Sequence, residues 1–245
     1  MSSATITTSA RLINSTPQTE EQAMVRKVAV SSFLGNFIEW FDYASYSYFA
    51  TTIALVFFPT DNHTVAMLQT FGVFALSFIL RPIGALFWGS YGDKKGRKAA
   101  LAHSIMFMSG ASFLIGCLPS YSVIGVGAPI LLLLLRMVQG FSASGEYAGA
   151  ATFLGEYAPT SKRGIYCSLI PASTAIGLLA GSTLATLMAT NMNSSAMVGW
   201  GWRVPFLLAG PLGLIVLYIR AKLADSPVYQ SMNDALESKG AASAD

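Results

Sequence analysis

Five ionisable side chains interrupt long apolar runs in this sequence: Glu39 and Asp42, then Arg81, then Arg136 and Glu146. A charge at the centre of a membrane helix costs about 2.5–3.5 kcal/mol on insertion scales, so each one demands a chemical reason. Glu39 and Asp42 lie three residues apart and share a helix face, which Asn36, Tyr43 and Tyr46 extend into a polar stripe. Arg136 follows Ile130 and five leucines, and Gln139 stands one turn further along the same face. Lipid solvates such groups poorly, so they must line a cavity or the interior of a bundle. Two readings are open: an internal ion pair that fixes packing, and a substrate or proton pathway. Three acids against two bases leave one carboxylate over, and an unpaired carboxylate in a low dielectric carries a proton near neutrality. That is the chemistry of proton coupling. Arg81 and Glu146, read as lying nearer the cytoplasmic side, suit a gate or an internal ion pair.

Membrane helices must position these residues. The chain has 245 residues, 53% of them hydrophobic and 11% charged, less than half the ~25% charge of a soluble domain. Six blocks are long enough for the ~20 helical residues that a hydrocarbon core requires: Val28–Phe57, Val65–Ser90, Lys98–Leu118, Val123–Gly155, Ile165–Thr190 and Val204–Lys222. The expected fold is therefore all-α, a polytopic membrane protein of six transmembrane helices. Residues 1–25 read as a polar cytoplasmic tail, 26–224 as the membrane domain and 225–245 as a second polar tail. Arg26 and Lys27 precede the first block, Lys94, Lys95, Arg97 and Lys98 occupy one short loop, Lys162 and Arg163 another, and Arg220 and Lys222 end the sixth block, whereas the loops at Pro59, Pro119 and Asn191 carry no Lys or Arg. Basic loops stay inside, which puts both termini in the cytoplasm of a cell whose inner membrane holds the protein. Gly177, Gly181, Ala185 and Ala189 recur every fourth residue as a shallow ridge for close helix packing.

A second constellation is the turn Gly89-Ser-Tyr-Gly-Asp-Lys-Lys-Gly-Arg-Lys. Its glycines permit a tight reversal, Asp93 and Arg97 are four apart, and Glu156 ends the fourth block. An enzyme is disfavoured. Ser144 would need a histidine base within reach, but His63 sits in an outer loop and His103 near the inner end of the third block. No histidine pair shares a helix face to hold a metal, no cofactor motif is present, and a net charge of +3 gives no argument for nucleic acid.

These residues carry a resemblance. Gly89–Lys98 and Arg136-Met-Val-Gln-Gly are similar to two signatures of the major facilitator superfamily. Gly35-Asn-Phe-Ile-Glu-Trp-Phe-Asp-Tyr, Arg81-Pro-Ile-Gly-Ala, Gly140-Phe-Ser-Ala-Ser-Gly-Glu-Tyr, Glu156-Tyr-Ala-Pro and Trp200-Gly-Trp-Arg-Val-Pro-Phe resemble its metabolite:proton symporters. The stretch from Pro119-Ser-Tyr through Ala128-Pro-Ile-Leu-Leu-Leu-Leu is most similar to the proline/glycine-betaine members, with the 2-oxoglutarate carriers next. The resemblance implies two six-helix halves that rock about a central site. It implies a substrate and proton pathway at Glu39, Asp42, Arg136, Gln139, Asn36 and Tyr43. It further implies a cytoplasmic gate in which Asp93 and Arg97 form a charge relay with Glu156, supported by Gly89, Gly96, Arg81 and Glu146. The implied activity is proton symport of a small osmolyte such as proline or glycine betaine. The alternatives are an organic acid such as 2-oxoglutarate, citrate or shikimate, and a non-transporting half. Because the sequence shows six spans and not twelve, the expected partners are a C-terminal six-helix half or a second copy, besides the substrate, the proton and the bilayer.

Overall fold

The computed structural model describes residues 16–223. The tail read at 225–245 lies outside them, whereas the first helix already begins at Thr16, inside the segment read as an N-terminal tail. The order is α1 (Thr16–Tyr48), α2 (Ala50–Phe57), α3 (His63–Ile79), α4 (Arg81–Lys95), α5 (Arg97–Cys117), α6 (Tyr121–Ile124), α7 (Gly127–Tyr157), α8 (Arg163–Cys167), α9 (Leu169–Asn191), α10 (Ser194–Ala196) and α11 (Arg203–Ala221). A 3-10 turn at Thr160–Lys162 and a π turn at Met197–Gly201 complete the described chain.

Local chemistry sets most boundaries. The Asn62 side chain accepts from the Thr64 and Val65 amides at 3.0 and 3.3 Å and so starts α3. Pro82 lacks the amide that would bond the Phe78 carbonyl, and the helix breaks there into α3 and α4. Gly96, at φ +93°, turns the chain between α4 and α5, a backbone conformation that side chains with a Cβ rarely adopt. Gly125, at φ +57°, separates α6 from α7, so the Gly/Pro-rich stretch before the fourth span is a short helix and a kink. Arg203 donates to the Gly116 carbonyl at 2.9 Å and to that of Leu118. The one basic residue near that end of the bundle therefore satisfies the last carbonyls of α5.

Among the described residues, five stretches are long and apolar enough to cross a membrane: His63–Lys95, Arg97–Cys117, Gly127–Tyr157, Thr160–Asn191 and Ser194–Ala221. The first span expected from the sequence, Val28–Phe57, is not among them and corresponds to α1 with α2. Its polar residues Asn36, Glu39 and Asp42 are 0%, 2% and 3% exposed, so the bundle shelters what lipid would not. α1 packs against α7, α9 and α11, and α7 against α3, α4 and α5, while α5 and α11 close the far side. The outer surface is apolar: Leu86 is 78% exposed, Ile165 70% and Leu214 67%. Large aliphatic groups turned outward suit lipid.

The small-residue ridge on α9 works as close packing. A Cβ on Gly177 would stand 2.8 Å from the Phe37 carbonyl, and one on Gly181 would stand 2.6 Å from the Ala44 Cβ. The ridge ends at Ala185; Ala189 is exposed, and Met188 is buried in its place. Two apolar clusters, around Phe57, Leu132, Trp202 and Phe206 at one end and around Val28, Phe153, Leu154 and Ile170 at the other, enclose a polar middle layer.

Candidate functional site

Among the described residues, three ion pairs form that layer, two of them fully buried and the third, Glu39–Arg81, partly exposed at the arginine. From α1, Glu39 pairs with Arg81 of α4, and Asp42 pairs with Arg136 of α7 at 2.9 Å. Glu146 of α7 is gripped through both oxygens by Arg220 of α11. The two carboxylates that share one face of α1 thus diverge to arginines on different neighbours. Arg136 also donates to Gln139 Oε1 at 2.6 Å, and its guanidinium carbon lies 3.7 Å from the Tyr46 ring centroid. Gln139 in turn donates to Ser112 of α5. The Tyr43 hydroxyl accepts from Arg81 at 2.6 Å.

Several expectations are corrected here. No acid is left over, because Arg220, which looked like a topology charge at the end of the sixth span, is 1% exposed and balances the count at three against three. Of the two readings for Arg81 and Glu146, the internal ion pair is present, but with partners other than each other: Arg81 joins Glu39 and Tyr43, and Glu146 joins Arg220. Asn36 leaves the stripe. Its amide donates to Ile170 O at 3.0 Å, Ser173 Oγ at 2.8 Å and Thr174 Oγ1 at 2.9 Å, a tie to α9. Gly89 is inside α4, away from the turn, and a Cβ there would meet nothing within 4 Å.

Gly35, which the sequence reading did not single out as a site residue, holds the third pair in place. A Cβ on it would overlap Glu146 Oε1 and Arg220 Nη2. Arg220 donates further to the carbonyls of Leu101 at 2.6 Å and Ser31 at 3.4 Å, so one guanidinium joins α1, α5, α7 and α11. Gly35→Ala should therefore cost about 1–3 kcal/mol, the usual range for overpacking a filled interior, and lower the midpoint of thermal unfolding in detergent. An unchanged midpoint would show that the pair has room to shift.

At the turn between α4 and α5, Arg97 pairs with Asp93 at 2.9 Å and approaches Glu156 at 4.0 Å. Asp93 is the outermost member, with 64% of its side chain exposed. Arg97 thus stands between the two acids at this end of the bundle.

The chain is similar to known transporters in sequence and in fold. A family profile described as "Sugar (and other) transporter" matches residues 27–245. The proline/betaine transporter of Salmonella typhimurium is 42% identical over 217 residues, 89% of this chain and 43% of that protein. A glycine betaine/proline/ectoine/pipecolic acid transporter of Dickeya dadantii matches with the same identity and coverage. Among solved structures, the partially occluded inward-open xylose transporter XylE from Escherichia coli superposes with a TM-score of 0.77 at 18% identity, over 86% of this chain and 52% of that one. The proton:xylose symporter XylE bound to 6-bromo-6-deoxy-D-glucose gives 0.76 at 17% identity, over 85% and 46%. These relatives are transporters and not enzymes, and this chain spans about half their length. With this match along most of its length, the chain belongs to the sugar (and other) transporter family.

Proposed function

We propose that this chain is the N-terminal six-helix half of a proton-coupled symporter for a small osmolyte such as proline or glycine betaine. It would sit in the cytoplasmic membrane with both termini inside, as the one-sided loop charges ask. One observation carries the reading: two carboxylate–arginine pairs fan out from one face of α1 in the middle of the bundle. The 42% identity to proline/betaine transporters supports the substrate class. We assign the Asp42–Arg136 pair to the proton and the Glu39–Arg81 pair to the substrate. Asp42 Oδ1 has no hydrogen-bond partner, and Arg136 keeps Gln139 and the Tyr46 face when Asp42 is neutral. Glu146, with both oxygens engaged, serves as a strut.

Proteoliposomes that hold this chain together with a C-terminal six-helix half should accumulate labelled proline or glycine betaine when their lumen is alkaline. The 245-residue chain alone should not, because alternating access needs two bodies moving around the site. Preference for 2-oxoglutarate over both osmolytes, or accumulation by a demonstrated monomer of this chain, would reject the reading.

In the same assembly the Asp93–Arg97–Glu156 cluster acts at the cytoplasmic gate. Asp93→Asn and Arg97→Ala should slow transport several-fold with little loss of folded protein, since an exposed pair contributes at most ~1 kcal/mol. Parental rates from both variants would remove the gating role.

A further inference from the structure

The Glu39–Arg81 pair differs from its two neighbours in access. The Arg81 side chain is 24% exposed, whereas those of Arg136 and Arg220 are 0% and 1% exposed. Arg81 also opens α4, directly after the break before Pro82, where its side chain has a free flank. Its guanidinium carbon lies 4.8 Å from the ring centroids of both Tyr43 and Phe78. Those rings stand 5.4 Å apart, with Phe74 at 5.7 Å from Tyr43 and 5.1 Å from Phe78. A cation is therefore already held against two aromatic faces beside a carboxylate. That carboxylate still has an acceptor to spare: Glu39 is 2% exposed, yet its Oε2 has no hydrogen-bond partner.

Resting on the proposed osmolyte transport, we infer that Glu39, Tyr43, Phe78 and Arg81 form a site for a compact zwitterion whose cation is a substituted ammonium. The ammonium takes the place now held by the Arg81 guanidinium, and the substrate carboxylate goes to Arg81. Charge decides the class. Opening a buried ion pair strands two charges, unless the ligand supplies a cation to one and an anion to the other. A zwitterion does both and adds no net charge, since Glu39, ammonium, carboxylate and Arg81 then alternate in sign. A dicarboxylate brings two negative charges to one arginine and leaves Glu39 without a counter-charge. The aromatic faces matter most for a quaternary ammonium, which has no N–H to donate to Glu39 and is recognised through ring faces. A secondary ammonium such as that of proline has N–H groups for Glu39 Oε2 and depends less on the rings.

The test compares two probes in one protein. In proteoliposomes with the assembled transporter, Phe78→Leu should raise KM for glycine betaine about fivefold, the worth of a cation–π contact on a phenylalanine that is 40% exposed. It should raise that for proline by less than about threefold, since the ammonium N–H groups of proline still reach Glu39. Phe78→Tyr keeps the ring face and should preserve the parental ratio. The ratio of two KM values in one variant does not depend on how much protein folds, so a yield defect cannot imitate the result. Equal changes for both probes, or a Phe78→Tyr variant as altered as Phe78→Leu, would overturn the cage while leaving osmolyte transport intact. Uptake of neither probe by the parent would overturn the proposed function and the cage with it.

Discussion

Asp42→Asn should abolish uphill accumulation of osmolyte while downhill exchange continues. Asparagine has the shape of aspartate and still offers an oxygen to Arg136, so the contact at 2.9 Å survives in neutral form. Arg136 retains Gln139 Oε1 at 2.6 Å and the Tyr46 ring face at 3.7 Å, and the bundle has reason to stay folded. What disappears is the carboxylate to which the proton is assigned. The accumulation ratio under an imposed proton gradient should fall to unity, while counterflow of labelled substrate in the absence of a gradient persists. Glu39→Gln provides the contrast: it removes the counter-charge for the substrate ammonium, so KM should rise and whatever is transported should remain coupled. Undiminished accumulation by Asp42→Asn would take the proton away from this pair.

The separate partners of two carboxylates three residues apart were not legible in the sequence. Residues at that spacing differ by about 60° around a helix, enough for Glu39 to reach α4 and Asp42 to reach α7. Which neighbour each one meets depends on the relative rotation of packed helices, and one helix's own periodicity does not contain that. Arg220 was misread for a related reason: a basic residue at the end of an apolar block looks like a topology signal until its neighbours are known. Its clue was Gly35, since a missing Cβ in a buried helix marks a close approach, and here the approach is by an ion pair and not by backbone. The apolar blocks and the ridge from Gly177 to Ala185 were legible, because they rest on composition and four-residue spacing, while the grouping of Glu156 with Asp93 and Arg97 came from the resemblance to a family signature.

Arg136→Ala should be the most damaging single change in the membrane layer. It strips the partner from Asp42, which is 3% exposed and has no other hydrogen-bond donor. It also empties space between the rings of Tyr46, Phe74 and Phe206, at 3.7, 5.9 and 5.6 Å from the guanidinium carbon. Removing one member of a buried pair costs about 3–5 kcal/mol, a large share of the ~5–15 kcal/mol that holds a typical domain together. Glu39 is spared, because its own arginine is Arg81. The damage should therefore be repairable at Asp42 alone. The double variant Asp42→Asn/Arg136→Gln replaces two charges with two amides of similar reach, and it should recover most of the monodisperse yield after solubilisation and most of the thermal midpoint. Transport should stay uncoupled in it. The coupling between the two positions can be read from the full cycle of single and double variants, with ~0.5–3 kcal/mol expected for groups in direct contact. If Arg136→Ala were as stable as the parent, or if the double variant were no better than the single one, Asp42 and Arg136 would not be each other's principal support.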